Sequence, residues 1–534
     1  MGSPTFALFL RALRTDVRLL HPHIMRMALL AFGLIALVRV QALSFVMGAP
    51  GRDFFSQLTF INLFFASLAG PFLFATCITE EKEEQTLGLL RMADIGALSL
   101  LVGKLAPRLT GALLILAVQF PFTLLAITLG GVAWQQVVVA FCGLLAHTFL
   151  AANLGLFCSV VSHRSGTAAG LAILLLLAHF ILPPVVYSVL STYVPLPASG
   201  WIATLHARAL EFSEEWYHAT ATWMMFNIMT TGFAGNAMNV QVVSNVIAGI
   251  AIFLVAWAVF DVFNRNVDVH GTSAARTLRD LIRRGSRRSV RAWDGGAAIV
   301  GRDFRFANGG LSSWIIKLVA YGPCTYVVML MVNDWNYRAI DADDFGSVLM
   351  GLMLFLALPL ELVAISSRVF RSEVKDRTWS SLCMLPNSLP WIAYSKLGGS
   401  LLALAPAVFY FVVGALFNPN DVMQYIQDLD DTNTLVGTLA VVANLVFFMH
   451  LVAWLSLLMN SWVAILLAFV AWIGAVWLFQ LCVIVPFMFM GFAGGGPSQS
   501  YFLGVYAVMS IGLLLLAGVL HWHIAGRLRH AAGS

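Results

Sequence analysis

The chain has 534 residues, 60% of them hydrophobic and 11% charged, with a mean hydropathy of +0.85 and a formal net charge of +5. A soluble globular domain carries roughly 45–50% apolar and 25% charged residues, so this composition excludes a soluble enzyme or binding module and indicates an integral membrane protein. The arginines gather in a few loops, which argues for membrane topology and against nucleic-acid binding, and six cysteines without a CxxC pair argue against a disulfide framework or a zinc site.

Residues 4–20 set Phe6, Leu10, Leu13, Val17 and Leu20 against Arg11, Arg14 and Arg18 at helical spacing. That pattern suits either an amphipathic interfacial helix or the start of the first span. The run 24–46 is too long for a signal-peptide core and lacks a cleavage site, so it reads as a retained span. At about 20 apolar residues per helix, the first half offers spans near 24–46, 54–78, 101–128, 136–161, 168–190 and 242–263. The second half offers them near 314–332, 345–366, 395–417, 435–459, 462–485 and 501–520. With both termini cytoplasmic, basic residues fall inside and the acidic groups around Asp341 and Asp428 outside, as the positive-inside rule requires.

Charged islands interrupt the apolar pattern between the second and third span of each half. The first contains Glu80, Glu81, Lys82, Glu83, Glu84, Thr86, Leu87, Leu90 and Met92, followed by Gly103-Lys104-Leu105. A gap-free shift of 292 positions places Glu81 on Glu373, Glu84 on Asp376, Thr86 on Thr378, Met92 on Met384 and Lys104 on Lys396, with Trp379 following Thr378. Asp303, within Gly301-Arg302-Asp303-Phe304-Arg305, similarly echoes Asp16. Repetition of this kind predicts two similar halves: 1–263, a basic linker 264–298 helical over 273–284, and 299–534. The linker's arginines serve either anionic-lipid anchoring or partner docking. The segment 191–241 reads as a small external cap or a re-entrant pair, and Pro183-Pro184 and Pro486 predict a kink or break at the end of each fifth span.

The acidic first turn suits a helix N-terminus, and a short cytoplasmic helix continuous with two spans can transmit a push. Glu81-Lys82-Glu83-x-x-Thr86-Leu87, a short helix and Gly103-Lys104-Leu105 resemble the signature of ABC transporter permeases of the type-2, exporter-like class. The resemblance implies coupling helices at about 80–95 and 373–388 that contact ABC ATP-binding subunits through Glu80, Glu81, Glu83, Glu84, Thr86, Leu87, Leu90, Glu373, Asp376, Thr378 and Trp379. It also implies two such subunits binding ATP and magnesium, and export across a bacterial inner membrane. Fusion of two halves departs from family members that carry one six-span half per chain, and is expected to let a single chain supply the full membrane part. The second copy lacks the Lys-Glu pair. The first is therefore expected to be the stronger contact, with Glu81→Ala more damaging than Glu373→Ala.

No P-loop is present: Gly96 and Gly103 enclose six residues where the motif needs four, and Leu105 stands where Ser or Thr would bind magnesium. Without HExxH or GxSxG the chain is expected to be non-catalytic, with no cofactor or metal of its own. Arg39 and Glu361 lie within spans and either line a translocation path or reach water by snorkelling. Intramembrane His147 and His179 suit interhelical hydrogen bonding. The expected fold is an all-α polytopic membrane protein of about twelve transmembrane helices, a tandem duplication of a six-helix unit. An ion-coupled secondary transporter and a non-transporting scaffold are the alternatives; the former calls for several intramembrane carboxylates, where Glu361 stands out.

Overall fold

The computed structural model describes residues 20–47, 50–69, 73–93, 95–163, 165–193, 200–230, 232–264, 298–308, 310–336, 342–375, 377–459, 461–492 and 499–533, with positions 6, 9–12, 14 and 18. The expected linker helix 273–284, Asp16 and Asp376 lie outside these residues. Every regular element among the described residues is helical, and the chain divides into two compact units, Met1–Ser289 and Val290–Ser534.

The first unit contains α1 (Leu20–Met47), α2 (Pro50–Ala69), α3 (Thr79–Glu83), α4 (Leu87–Met92) and α5 (Ala97–Thr128). It continues with α6 (Trp134–Val161), α7 (Ser165–Ser188), α8 (Trp201–His218), α9 (Ala221–Ile228) and α10 (Val240–Asn264). Helix α6 is the hub, packed against α2, α5, α7 and α10. Small residues on α6 and α10 let their backbones approach closely, as between membrane helices generally. A Cβ on Gly249 of α10 would stand 2.8 Å from the Phe149 ring of α6. The α5–α6 turn uses Gly130 and Gly131 at φ +88° and +83°, which L side chains rarely adopt.

The second unit contains α11 (Ala298–Arg302), α12 (Gly310–Asn336), α13 (Ala342–Leu352), α14 (Leu358–Arg368), α15 (Arg371–Lys375) and α16 (Trp379–Cys383). There follow α17 (Leu389–Leu401), α18 (Ala405–Phe417), α19 (Pro419–Asp428), α20 (Thr432–Leu458), α21 (Ser461–Phe492) and α22 (Gln499–Gly533). Two long helical runs change pitch just before a proline. A wide turn at Met353–Ala357 precedes Pro359, and a tight one at Leu402–Leu404 precedes Pro406. Proline lacks an N–H and crowds the carbonyl four residues back, so regular α-helical bonding is lost there.

Nine stretches among the described residues are long and apolar enough to cross a membrane, including Ala97–Thr128, Trp134–Val161, Leu389–Phe417 and Thr432–Leu458. The remaining expected spans, near 54–78, 314–332 and 462–485, coincide with α2, α12 and α21. Of these, α2 stops at Ala69 and carries Arg52, Asp53, Gln57 and Asn62, while α21 contributes only the shorter apolar stretch Val463–Leu478. The chain is thus an all-α polytopic membrane protein. Neither fifth span ends at its prolines: α7 continues through Pro183-Pro184 to Ser188, and α21 through Pro486 to Phe492. Membrane helices tolerate proline where neighbouring groups re-satisfy the freed backbone.

Candidate functional site

Each charged island folds as two short helices around a left-handed residue, where a single helix was expected. Gln85 has φ +57° and Arg377 φ +55°, the same place under the 292-residue shift. The Thr86 amide donates to the Glu81 carbonyl at 2.9 Å and the Gln85 amide to the Lys82 carbonyl at 3.3 Å. Thr378 to Glu373 and Arg377 to Val374 repeat both bonds at the same distances. This is a Schellman closure, which ends a helix through one left-handed residue; here that residue is not glycine.

A side-chain brace locks each turn. The Thr86 hydroxyl donates to the Glu81 carboxylate, which also accepts from the Lys104 ammonium of α5. In the second unit Thr378 donates to Glu373, and Lys396 of α17 donates to Glu373 at 2.9 Å and to Asp303 at 2.6 Å. Arg302 adds contacts to both carboxylates. Burial alone would raise the Glu81 carboxyl, but the bonds from Lys104 and Thr86 outweigh it and hold the group below its ordinary value. Lys396 keeps 2% of its side-chain surface exposed against 26% for Lys104, so the second brace is the drier one.

The helix before each turn is tied to the end of a long helix. Lys82 of α3 donates to the carbonyls of Ser159, Val160 and Ser162 at 3.1, 2.6 and 2.8 Å, capping the C-terminus of α6. Burial pushes this ammonium down to about 8, and the negative end of the α6 dipole favours its charge. Arg371 of α15 does the same for α20 through the carbonyls of Ser456, at 2.6 Å, and Met459. The helix after each turn is tied to the last helix of its unit. Arg91 of α4 lies 2.9 Å from Asp261 of α10 and 5.3 Å from the Phe260 ring centroid, while the Trp379 indole of α16 donates to the Leu528 carbonyl of α22 at 2.9 Å.

The residues expected at the coupling surface therefore divide. Leu87 and Trp379 are buried anchors at equivalent positions, packed with Phe74 and Phe260 in one unit and with Ile392 and Ile524 in the other. Leu90 is partly buried beside Leu87. Glu80 pairs with Arg108, and Glu83 accepts the Ser165 amide at 2.7 Å, capping α7. Glu84 is exposed. Outward-facing apolar groups are Leu89 and Met92 in the first loop, and Met384 and Leu385 in the second. Met92 and Met384, again equivalent, are 77% and 84% exposed.

Arg39 is half-buried on α1. Glu361 on α14 has its counter-charge in Lys317 of α12, whose ammonium donates to it at 2.7 Å and to the Ala403 carbonyl at 2.9 Å. The Tyr321 hydroxyl, one turn from Lys317, also donates to Glu361. Sequence reading missed Lys317; its position four residues before a tyrosine on an apolar helix was the available signal. It also missed the roles of Lys82, Arg371 and Asp303. Among the described residues no cluster of three or more His, Cys, Asp or Glu side chains could hold a metal ion.

No curated protein matches this chain. Residues 312–476, which include Lys317, Glu361 and the second loop, match the family model described as ABC-2 family transporter protein, and this supports an ABC-2 type permease.

Proposed function

We propose that the chain is the membrane-spanning subunit of an ABC exporter, powered by two ATP-binding subunits that dock on residues 79–92 and 371–385. The observation that carries this reading is the repeated loop: two copies of one turn, each braced to the helix that follows, tied to two other helices of its own unit, and presenting an exposed methionine. A loop bound this way cannot be displaced without moving α5, α6 and α10, or α17, α20 and α22. Export direction, the supply of the whole membrane part by one chain, and cytoplasmic placement of both loops follow from the same reading.

A gradient-driven secondary transporter is less well supported, because Glu361 is already committed to Lys317 and Tyr321. The test is purification of the full chain with its ATP-binding subunit, followed by hydrolysis and transport assays in vesicles. Vanadate-sensitive hydrolysis that drives transport supports the proposal. Transport that needs no ATPase and collapses with an ion gradient overturns it.

A further inference from the structure

We infer that α8 is a membrane-surface helix whose exposed apolar stripe lies in the lipid headgroup and acyl boundary, on the membrane face opposite the α3–α4 loop. Its place follows from α7. The N-terminus of α7 is capped by Glu83 of α3, and 24 residues at 1.5 Å each carry the chain roughly 36 Å away, more than the ~30 Å of a bilayer core. Helix α8 follows within the same unit, packs against α7 and α10, and stands between two candidate spans, Thr167–Ser191 and Val240–Asn264.

Three faces of α8 are distinct. His206 and Ser213, seven residues apart, are buried. Glu211 and Glu214 are exposed on another side, and Glu215, seven residues past Arg208, lies at the edge of the stripe near the end of the helix. Between them Trp201, Leu205, Arg208 and Phe212 follow the i, i+4, i+7, i+11 spacing of a single stripe. The three apolar members are exposed by 75%, 61% and 67%, and the stripe extends over about 16 Å.

Lipid is the occupant that fits this pattern. The flanking spans already present Leu177 and Leu182 on α7, and Ile247 and Leu254 on α10, as exposed apolar groups that a bilayer covers, and α8 continues that surface at its edge. A tryptophan at one end of the stripe suits the aromatic belt of a membrane interface. Arg208, in the middle of the stripe, forms no ion pair with the described carboxylates despite its acidic neighbours. A long basic side chain there can lay its stem along the apolar face and reach lipid phosphate, while Glu211 and Glu214 remain in water. This inference does not depend on ATP-driven transport.

The test places a benzophenone side chain at 205, 212, 211 or 214 of the full-length protein, reconstituted in phosphatidylethanolamine–phosphatidylglycerol vesicles and irradiated. The same group at 177, on the exposed flank of α7, sets the reference. Lipid adducts at 205 and 212 should approach the yield at 177 and exceed those at 211 and 214 several-fold. Yields at 205 and 212 no higher than at 211 and 214, or cross-links there to protein in place of lipid, overturn the inference.

Discussion

Met92 and Met384 occupy the same position in two loops 292 residues apart, and each is the most exposed apolar side chain of its loop among the described residues. Everything behind them is fixed: a Schellman turn, a carboxylate brace and cation-capped helix ends. Exposed flexible apolar tips on rigid supports are what a docking partner can grip.

Loss of the brace cation should cost more in the second unit. Lys396→Met leaves Glu373 and Asp303 buried with only the half-exposed Arg302 as counter-charge, and removing one partner of a buried pair typically costs roughly 3–5 kcal/mol. Lys104→Met leaves Glu81 without its cation in a wetter site and should cost on the order of 2 kcal/mol. Denaturation in detergent or lipid, followed variant by variant, checks the order; equal losses would contradict it.

At the turns, Gln85→Gly and Arg377→Gly should stabilise the chain, since a left-handed conformation costs an L side chain about 1 kcal/mol. A β-branched residue, as in Gln85→Val, should do the reverse. Amide exchange in residues 79–92 reports the change directly.

The Glu81 brace should be pH-sensitive. With its carboxyl held below the ordinary 4.5, the unfolded chain binds the proton more readily in the interval between the two values, so stability rises with pH across it. The contribution is complete above 4.5 and disappears as pH falls through the lower folded value. The protection of the loop amides, taken relative to the intrinsic exchange rate at each pH, should fall as pH drops through that acid window in the native protein, and Glu81→Gln should abolish this component of the pH dependence.

Glu361 and Lys317 should behave as one unit. Glu361→Leu strands a cation that is largely buried, whereas Glu361→Leu with Lys317→Met removes both charges, and an apolar replacement of a whole buried pair is often neutral. The double variant should therefore be more stable than Glu361→Leu alone, with a coupling of roughly 1–3 kcal/mol between the two substitutions. A thermal-stability cycle on the four proteins measures it.

Local chemistry was legible in the sequence. Glu81 with Thr86, and Glu373 with Thr378, lie five positions apart because the turn brings those positions together, so the constant shift found them. Tertiary choices were not legible. Four neighbouring glutamates are chemically alike, and only packing decides that Glu81 turns inward, Glu83 caps α7 and Glu84 faces water. Helix-end carbonyls accept any cation within reach, so Lys82 and Arg371 fill one role from non-equivalent positions. The sequence ranked Glu81 above Glu373, yet Glu373 gathers Thr378, Lys396 and Arg302. We therefore expect Glu373→Ala to be the more damaging change. The span count was approximate because α2 combines helical periodicity with a polar N-terminal half.

The docking claim is tested most directly by Met92→Arg with Met384→Arg. Both positions are exposed and outside the braces, so the double variant should insert and fold as the native protein does. Retention of the ATP-binding subunit through purification, and vanadate-sensitive hydrolysis by the purified complex, are the paired readouts. The account predicts that both fall several-fold. A double variant that keeps its ATPase and its full hydrolysis rate would contradict it.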